Sequence, residues 1–249
     1  MNPADLQDIE IVEDRTAASA CQTGFLRLRR LVLRNRYRDG SASRPYPCDI
    51  VSRPHTDAVA VCLYQMLDRK VRVLLKESPR APIYLRKLKA PVIADARPYL
   101  SIIELVAGLI ETGDERIGGV AGRAAREAAE EAGVEVPAHS IQPLGGESFP
   151  SPGVADEKVF FTAAELTTLS GGVPPGDGGA MEEATRPVIL DLTEAIRMCR
   201  DGRIPDMKTE IGLLRLCDRI GYLPQLGCFL DELPPEWRRR HDRLGLDSI

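Results

Sequence analysis

Arg126-Glu127-Ala128-Ala129-Glu130-Glu131-Ala132-Gly133-Val134 is the stretch on which the reading of this chain turns. Its alanines and glutamates favour helix, and Gly133 stands where a helix would be capped. The spacing predicts a helix over Gly122–Ala132. Glu127, Glu130 and Glu131 then stand at i, i+3 and i+4, so all three share one face. Like charges at that spacing repel. A bare acidic face can simply be solvated; alternatively a hard divalent cation relieves the repulsion by taking carboxylate oxygens as ligands, with substrate phosphates completing its shell. Ala124, Ala125, Ala128, Ala129 and Ala132 keep the helix slim enough to pack closely on a sheet.

Upstream lies Glu104-Leu105-Val106-Ala107-Gly108-Leu109-Ile110-Glu111-Thr112-Gly113-Asp114. Strand is predicted for Ile102–Val106, and before it for Ala58–Met66 and Val71–Leu75, joined by a turn at Leu67-Asp68-Arg69-Lys70. Lys89–Pro98 reads as a loop between prolines. Downstream, strands are predicted at Val159–Ala163 and Pro187–Leu190, and helices at Thr193–Arg200 and Thr209–Ile220. Ser170–Gly179 holds five glycines and two prolines in ten residues, a composition that favours a loop. Thr23–Arg38 alternates apolar residues with arginines and reads as a strand ending in an Asp39-Gly40 turn. Residues 1–22 read as an acidic, frayed extension.

The chain has 249 residues, 43% hydrophobic and 28% charged, with a net charge of −4. That is a globular composition without the basic excess of a general nucleic-acid binder. The apolar run Ser101–Ile110 is short and interrupted by Glu104, so no membrane span is expected. Five acids and no Lys or Arg in the first fourteen residues do not suit a secretory signal. Cys21, Cys48, Cys62, Cys199, Cys217 and Cys228 lie apart, without C-x-x-C or zinc spacing, as expected of free thiols in a cytoplasmic protein.

Taken together, the Gly108 segment and the R-E-x-x-E-E-x-G-V run resemble the signature of the Nudix hydrolases: Gly, five residues, Glu, seven residues, then the helix motif. Two departures stand out. Asp114 replaces the glutamate, and eleven residues separate it from Arg126. This insertion is expected to lengthen the loop before the helix. Two further blocks are similar to the ADP-ribose pyrophosphatase branch. Phe149-Pro150-Ser151-Pro152-Gly153 places Pro150 sixteen residues past Val134, and Gly202-Arg203-Ile204-Pro205-Asp206-Met207-Lys208-Thr209 opens the last long helix.

The resemblance implies an α+β fold, a Nudix α/β/α sandwich with an N-terminal antiparallel strand region. It implies an extension over 1–22, a dimer-forming strand region over 23–56, the catalytic domain over 57–222 and a tail over 223–249. It implies hydrolysis of the diphosphate bond of a nucleoside diphosphate sugar, ADP-ribose first and UDP-glucose or GDP-mannose as alternatives. A non-catalytic ADP-ribose sensor is a third reading, disfavoured because all three helix glutamates are present. Mg²⁺, with Mn²⁺ as substitute, would be held by Glu127, Glu131, Glu130 and the Ala107 carbonyl, and Arg126 would orient the carboxylates. A proton-accepting glutamate falls on Glu183, beside Glu182, in the Gly/Pro-rich loop. Arg80, Glu104, Ser151, Pro152, Gly153 and Glu157 would contact substrate. A homodimer is implied as well.

Overall fold

Two groups of strands organise the chain, each in its own compact unit. The first unit comprises residues up to Thr56 with Phe149–Lys158, and the second Asp57–Ser148 with everything from Val159 onward. The structure, a computed structural model, describes residues 6–15, 17, 25–97, 99–169 and 185–242.

In the first unit, β1 (Leu6–Asp14), β2 (Arg27–Tyr37) and β3 (Tyr46–Ser52) form an antiparallel sheet in that order. The expectation of a frayed acidic extension is therefore corrected over Leu6–Asp14. The acids that suggested a solvated tail face an arginine-rich neighbour: Glu10 stands in register with Arg34 and accepts from Arg36 Nε at 2.9 Å. Opposite charges across a ladder favour pairing. Phe149–Lys158 joins this unit through the Val51 amide, which donates to the Val154 carbonyl at 2.8 Å.

The second unit opens with β4 (Ala58–Leu67) and β5 (Lys70–Pro79). Their two-residue turn places Asp68 and Arg69 at φ of 50° and 59°, the left-handed pair that suits a tight hairpin. After it come α1 (Ala81–Tyr84), β6 (Ser101–Glu104), β7 (Val106–Leu109), α2 (Gly119–Ala132), β8 (Gln142–Pro143) and β9 (Val159–Glu165). Next are β10 (Arg186–Asp191), α3 (Leu192–Arg200), α4 (Met207–Ile220), β11 (Tyr222–Leu223), β12 (Cys228–Phe229) and α5 (Pro235–Asp242). The main sheet runs β10-β5-β4-β9-β8, with β4 and β9 parallel.

The hairpin of β4 and β5 is forked. Leu63–Leu67 pair with β5, but Ala58–Val61 pair with β7 instead, while Lys76–Pro79 of β5 pair with β6. The single strand expected at Ile102–Val106 is thus two strands broken at Leu105, which sits buried where the fork closes. The break leaves the Leu105 amide without a ladder partner, and the Thr209 hydroxyl accepts its hydrogen bond at 2.9 Å. Thr209 in turn donates from its amide and hydroxyl to Asp206, the N-cap of α4, at 2.9 and 2.7 Å.

Period-two alternation builds a core on both sheet faces. Cys62, Val73, Leu75 and Phe161 pack with Leu192, Ile196, Leu213 and Leu216 of α3 and α4. Val59, Val61, Leu63, Leu74 and Val106 pack with Ala124, Ala128 and Ala132 of α2. The result is the expected α/β/α sandwich. No helix among the described residues is long and apolar enough to cross a membrane.

Burial alone would raise the Asp206 carboxyl. The Lys208 ammonium, at 2.8 Å, and the two Thr209 donors outweigh it and hold it below the usual carboxylate range. A depressed folded-state pKa gives stability that is complete above about pH 4 and lost as pH falls through the folded value. Asp206→Ala is accordingly expected to cost about 1–2 kcal/mol at pH 7. In urea unfolding at pH 3 that difference should shrink; an unchanged difference would contradict the assignment.

Candidate active site

The fork sets Ala107 and Gly108 against the face of α2 that carries the glutamates. The lack of a side chain at Gly108 leaves room for the Glu127 carboxyl, which any Cβ there would force to move. Glu127 is buried at 7% exposure. Burial pushes its carboxyl up to about 7, and neighbouring Glu131 and Glu130 add to the rise against the pull of Arg123 and Lys76. Glu131 has both carboxylate oxygens engaged. Oε2 accepts from the Ala107 amide at 3.0 Å, and Oε1 is ion-paired with the ammonium of Lys76 on β5. Glu130 is more exposed and pairs with Arg126 Nε at 3.1 Å.

Arg126 was the arginine expected to hold the helix carboxylates. The structure gives the buried part of that task to Arg123, which the sequence reading passed over. Arg123 donates to Asp114 through Nε and Nη2 at 2.8 and 2.9 Å, and through Nη2 to Glu111 at 2.7 Å. Its Nη1 lies 3.4 Å from Glu127. Asp114 also accepts from the Glu111 amide at 2.7 Å. Burial would raise the Asp114 carboxyl, but Arg123 and the Glu111 amide prevail and hold it low. Asp114 is therefore an integral part of the loop clamp, shorter side chain notwithstanding.

The insertion before the box helix is also placed differently from expectation. It does not simply lengthen a loop. Asp114–Ile117 make one 3-10 turn, Gly118 takes φ of 106°, and α2 starts at Gly119. α2 thus begins before the expected Gly122, and Arg123 stands one turn before Glu127 with its guanidinium on Asp114. Gly133, at φ of 64°, ends the helix as expected.

Arg80 and Glu104 are brought together. Arg80 Nε donates to Glu104 Oε1 at 2.8 Å, and Glu104 is only 1% exposed. Ser151, Pro152, Gly153 and Glu157 belong to the first unit. There the Ser151 carbonyl accepts from Val154 and Ala155 amides at 3.1 and 2.9 Å, and Glu157 pairs with Arg53 at 2.7 Å. Glu182 and Glu183, with the loop expected over Ser170–Gly179, lie outside the described residues.

Hard oxygen donors crowded on one buried helix face suit a divalent cation in chemistry. Among the described residues, however, no three acidic, histidine or cysteine side chains close into a cation cage. Lys76 and Arg123 stand on two of the candidate ligands instead.

A forked mixed sheet, a Gly108 loop and a glutamate-faced helix between them define a Nudix-type pyrophosphohydrolase. The chain belongs to the Nudix hydrolases, in the ADP-ribose pyrophosphatase-like branch. It is 34% identical over 140 residues to GDP-mannose pyrophosphatase of Yersinia enterocolitica (serotype O:8 / biotype 1B, strain NCTC 13174 / 8081), spanning 55% of this chain and 67% of that one. The crystal structure of an ADP compounds hydrolase shares the fold at a TM-score of 0.58 and 17% identity, covering 86% of this chain and 95% of the other. No family model matches the chain.

Because the Glu127 carboxyl fills the space beside Gly108, Gly108→Ala is expected to displace it and lower kcat/KM about 10²-fold. A variant with wild-type kinetics and an unchanged melting temperature would contradict the packing described.

Proposed function

We propose that the protein hydrolyses the diphosphate bond of a nucleoside diphosphate sugar with Mg²⁺, or Mn²⁺ in its place. The observation that carries this reading is the carboxylate face of α2, where buried Glu127 and Glu131 stand together against Ala107 and Gly108. Glu127 and Glu131 are proposed as the principal metal ligands, with Glu130, directly or through water, and the Ala107 carbonyl completing the set. The bound ion supplies charge neutralisation on the diphosphate and activation of water.

The remaining roles belong to the chain. Arg126 holds Glu130, and Arg123 keeps Glu127 in line with the loop. Arg80, paired with Glu104, offers a guanidinium edge to phosphate or sugar oxygens. Glu183, with Glu182 beside it, is proposed to take the proton from the attacking water. Ser151, Pro152, Gly153 and Glu157 are proposed to contact the sugar end. ADP-ribose is the first substrate of this reading. GDP-mannose is the second, favoured by the relative whose name carries that activity.

A homodimer is part of the proposal, supported by the edge that β1 leaves, among the described residues, in the first unit's sheet. A cytoplasmic setting is supported by the free thiols of Cys48, Cys62, Cys199, Cys217 and Cys228. The test is nucleoside monophosphate release from such sugars. Loss on EDTA treatment and recovery with Mg²⁺ is expected, and chelator-insensitive release would overturn the metal assignment.

A further inference from the structure

Along β5, alternate residues face alternate layers. Leu74 points into the core under α2, so position 76 should by the same alternation be apolar. It is Lys76, 4% exposed. Its register partner across the β5–β6 ladder is Glu104, whose carboxylate is bonded to Arg80. The Lys76 ammonium reaches across to Glu131 instead.

A buried ion pair is on average no more stabilising than a well-packed apolar pair of the same shape. Stability therefore does not account for a lysine here. Position does. Glu131 Oε2 accepts from the Ala107 amide and Oε1 from the Lys76 ammonium, so a cation approaching this carboxylate meets a positive charge already seated on it.

We infer that Lys76 is an internal cation competing with the divalent metal for Glu131. The inference rests on the reading of Glu131 as a metal ligand. An ion held by Glu131 would share this carboxylate with the ammonium or take its place, and the buried ammonium beside it would oppose that binding. Lys76 thereby lowers the metal affinity of the free protein. A diphosphate, as a polyanion, supplies a new partner for the freed ammonium. Metal loading is thus tied to the arrival of an anionic substrate. Lys76 acts in this account as a positioning residue, through Glu131.

The test is Mn²⁺ binding to the substrate-free protein, followed by electron paramagnetic resonance and calorimetry, in wild type, Lys76→Met, Lys76→Gln and Glu131→Gln. Removing the internal charge should tighten Mn²⁺ binding about tenfold or more in both Lys76 variants, and Glu131→Gln should weaken it. Thermal unfolding without metal shows which variants are folded. Lys76 variants that bind Mn²⁺ no more tightly than wild type, while Glu131→Gln binds it less, overturn this inference and leave the metal reading standing. Mn²⁺ binding indifferent to Glu131→Gln overturns both. Failure of both Lys76 variants to fold would make Lys76 a structural residue and overturn the inference as well.

Discussion

Arg123→Met is expected to destabilise the fold by about 3–5 kcal/mol, the usual cost of removing one partner from a buried ion pair. Arg123 has a side chain 5% exposed and holds Asp114, also 5% exposed, through two hydrogen bonds. Methionine fills similar volume but leaves that carboxylate with only the Glu111 amide and removes the guanidinium nearest Glu127. Asp114 would then lose the influence that holds its pKa low, so part of the loss should be recovered by the double variant Arg123→Met/Asp114→Asn. Urea unfolding of the four proteins completes a double-mutant cycle. Additive effects, or a single-variant loss under 1 kcal/mol, would show that the clamp is not a coupled unit.

Glu131→Gln is expected to reduce kcat/KM by about 10³-fold or more, equivalent to about 4 kcal/mol of barrier. The amide keeps an acceptor for the Ala107 amide, so local geometry should be retained, but it removes the charge proposed to hold the metal. It also leaves Lys76 buried without its carboxylate, so some loss of stability should accompany the kinetic loss. Wild-type rates in a folded Glu131→Gln protein would remove Glu131 from the site.

Much of this arrangement was legible in the sequence where one element carried the whole signal. The Glu127, Glu130 and Glu131 face and the Gly133 cap need only helical geometry. The β4–β5 hairpin needs only two apolar runs and a short turn. What was not legible depends on distant residues meeting. The break at Leu105 follows from the forking of β4 and β5, which alternation within a single strand does not encode. Arg123 looked like filler inside an insertion. Its position four residues before Glu127 was a usable signal, since i,i+4 partners share a helix face. Lys76 fell just past the predicted strand end at Leu75; extending the alternation by one residue would have placed a charge on the buried face. Residues Leu6–Asp14 were misjudged because their acids were read alone, without the arginines of β2 that they face.

The most direct measurement is monophosphate release from a panel of ADP-ribose, GDP-mannose, UDP-glucose and NADH with Mg²⁺, run beside Glu131→Gln. The purified protein is expected to cleave at least one of the three nucleoside diphosphate sugars, ADP-ribose or GDP-mannose foremost, and that cleavage is expected to vanish in the variant. Silence across the panel from a folded, metal-supplied protein, or cleavage that persists in Glu131→Gln, would contradict it.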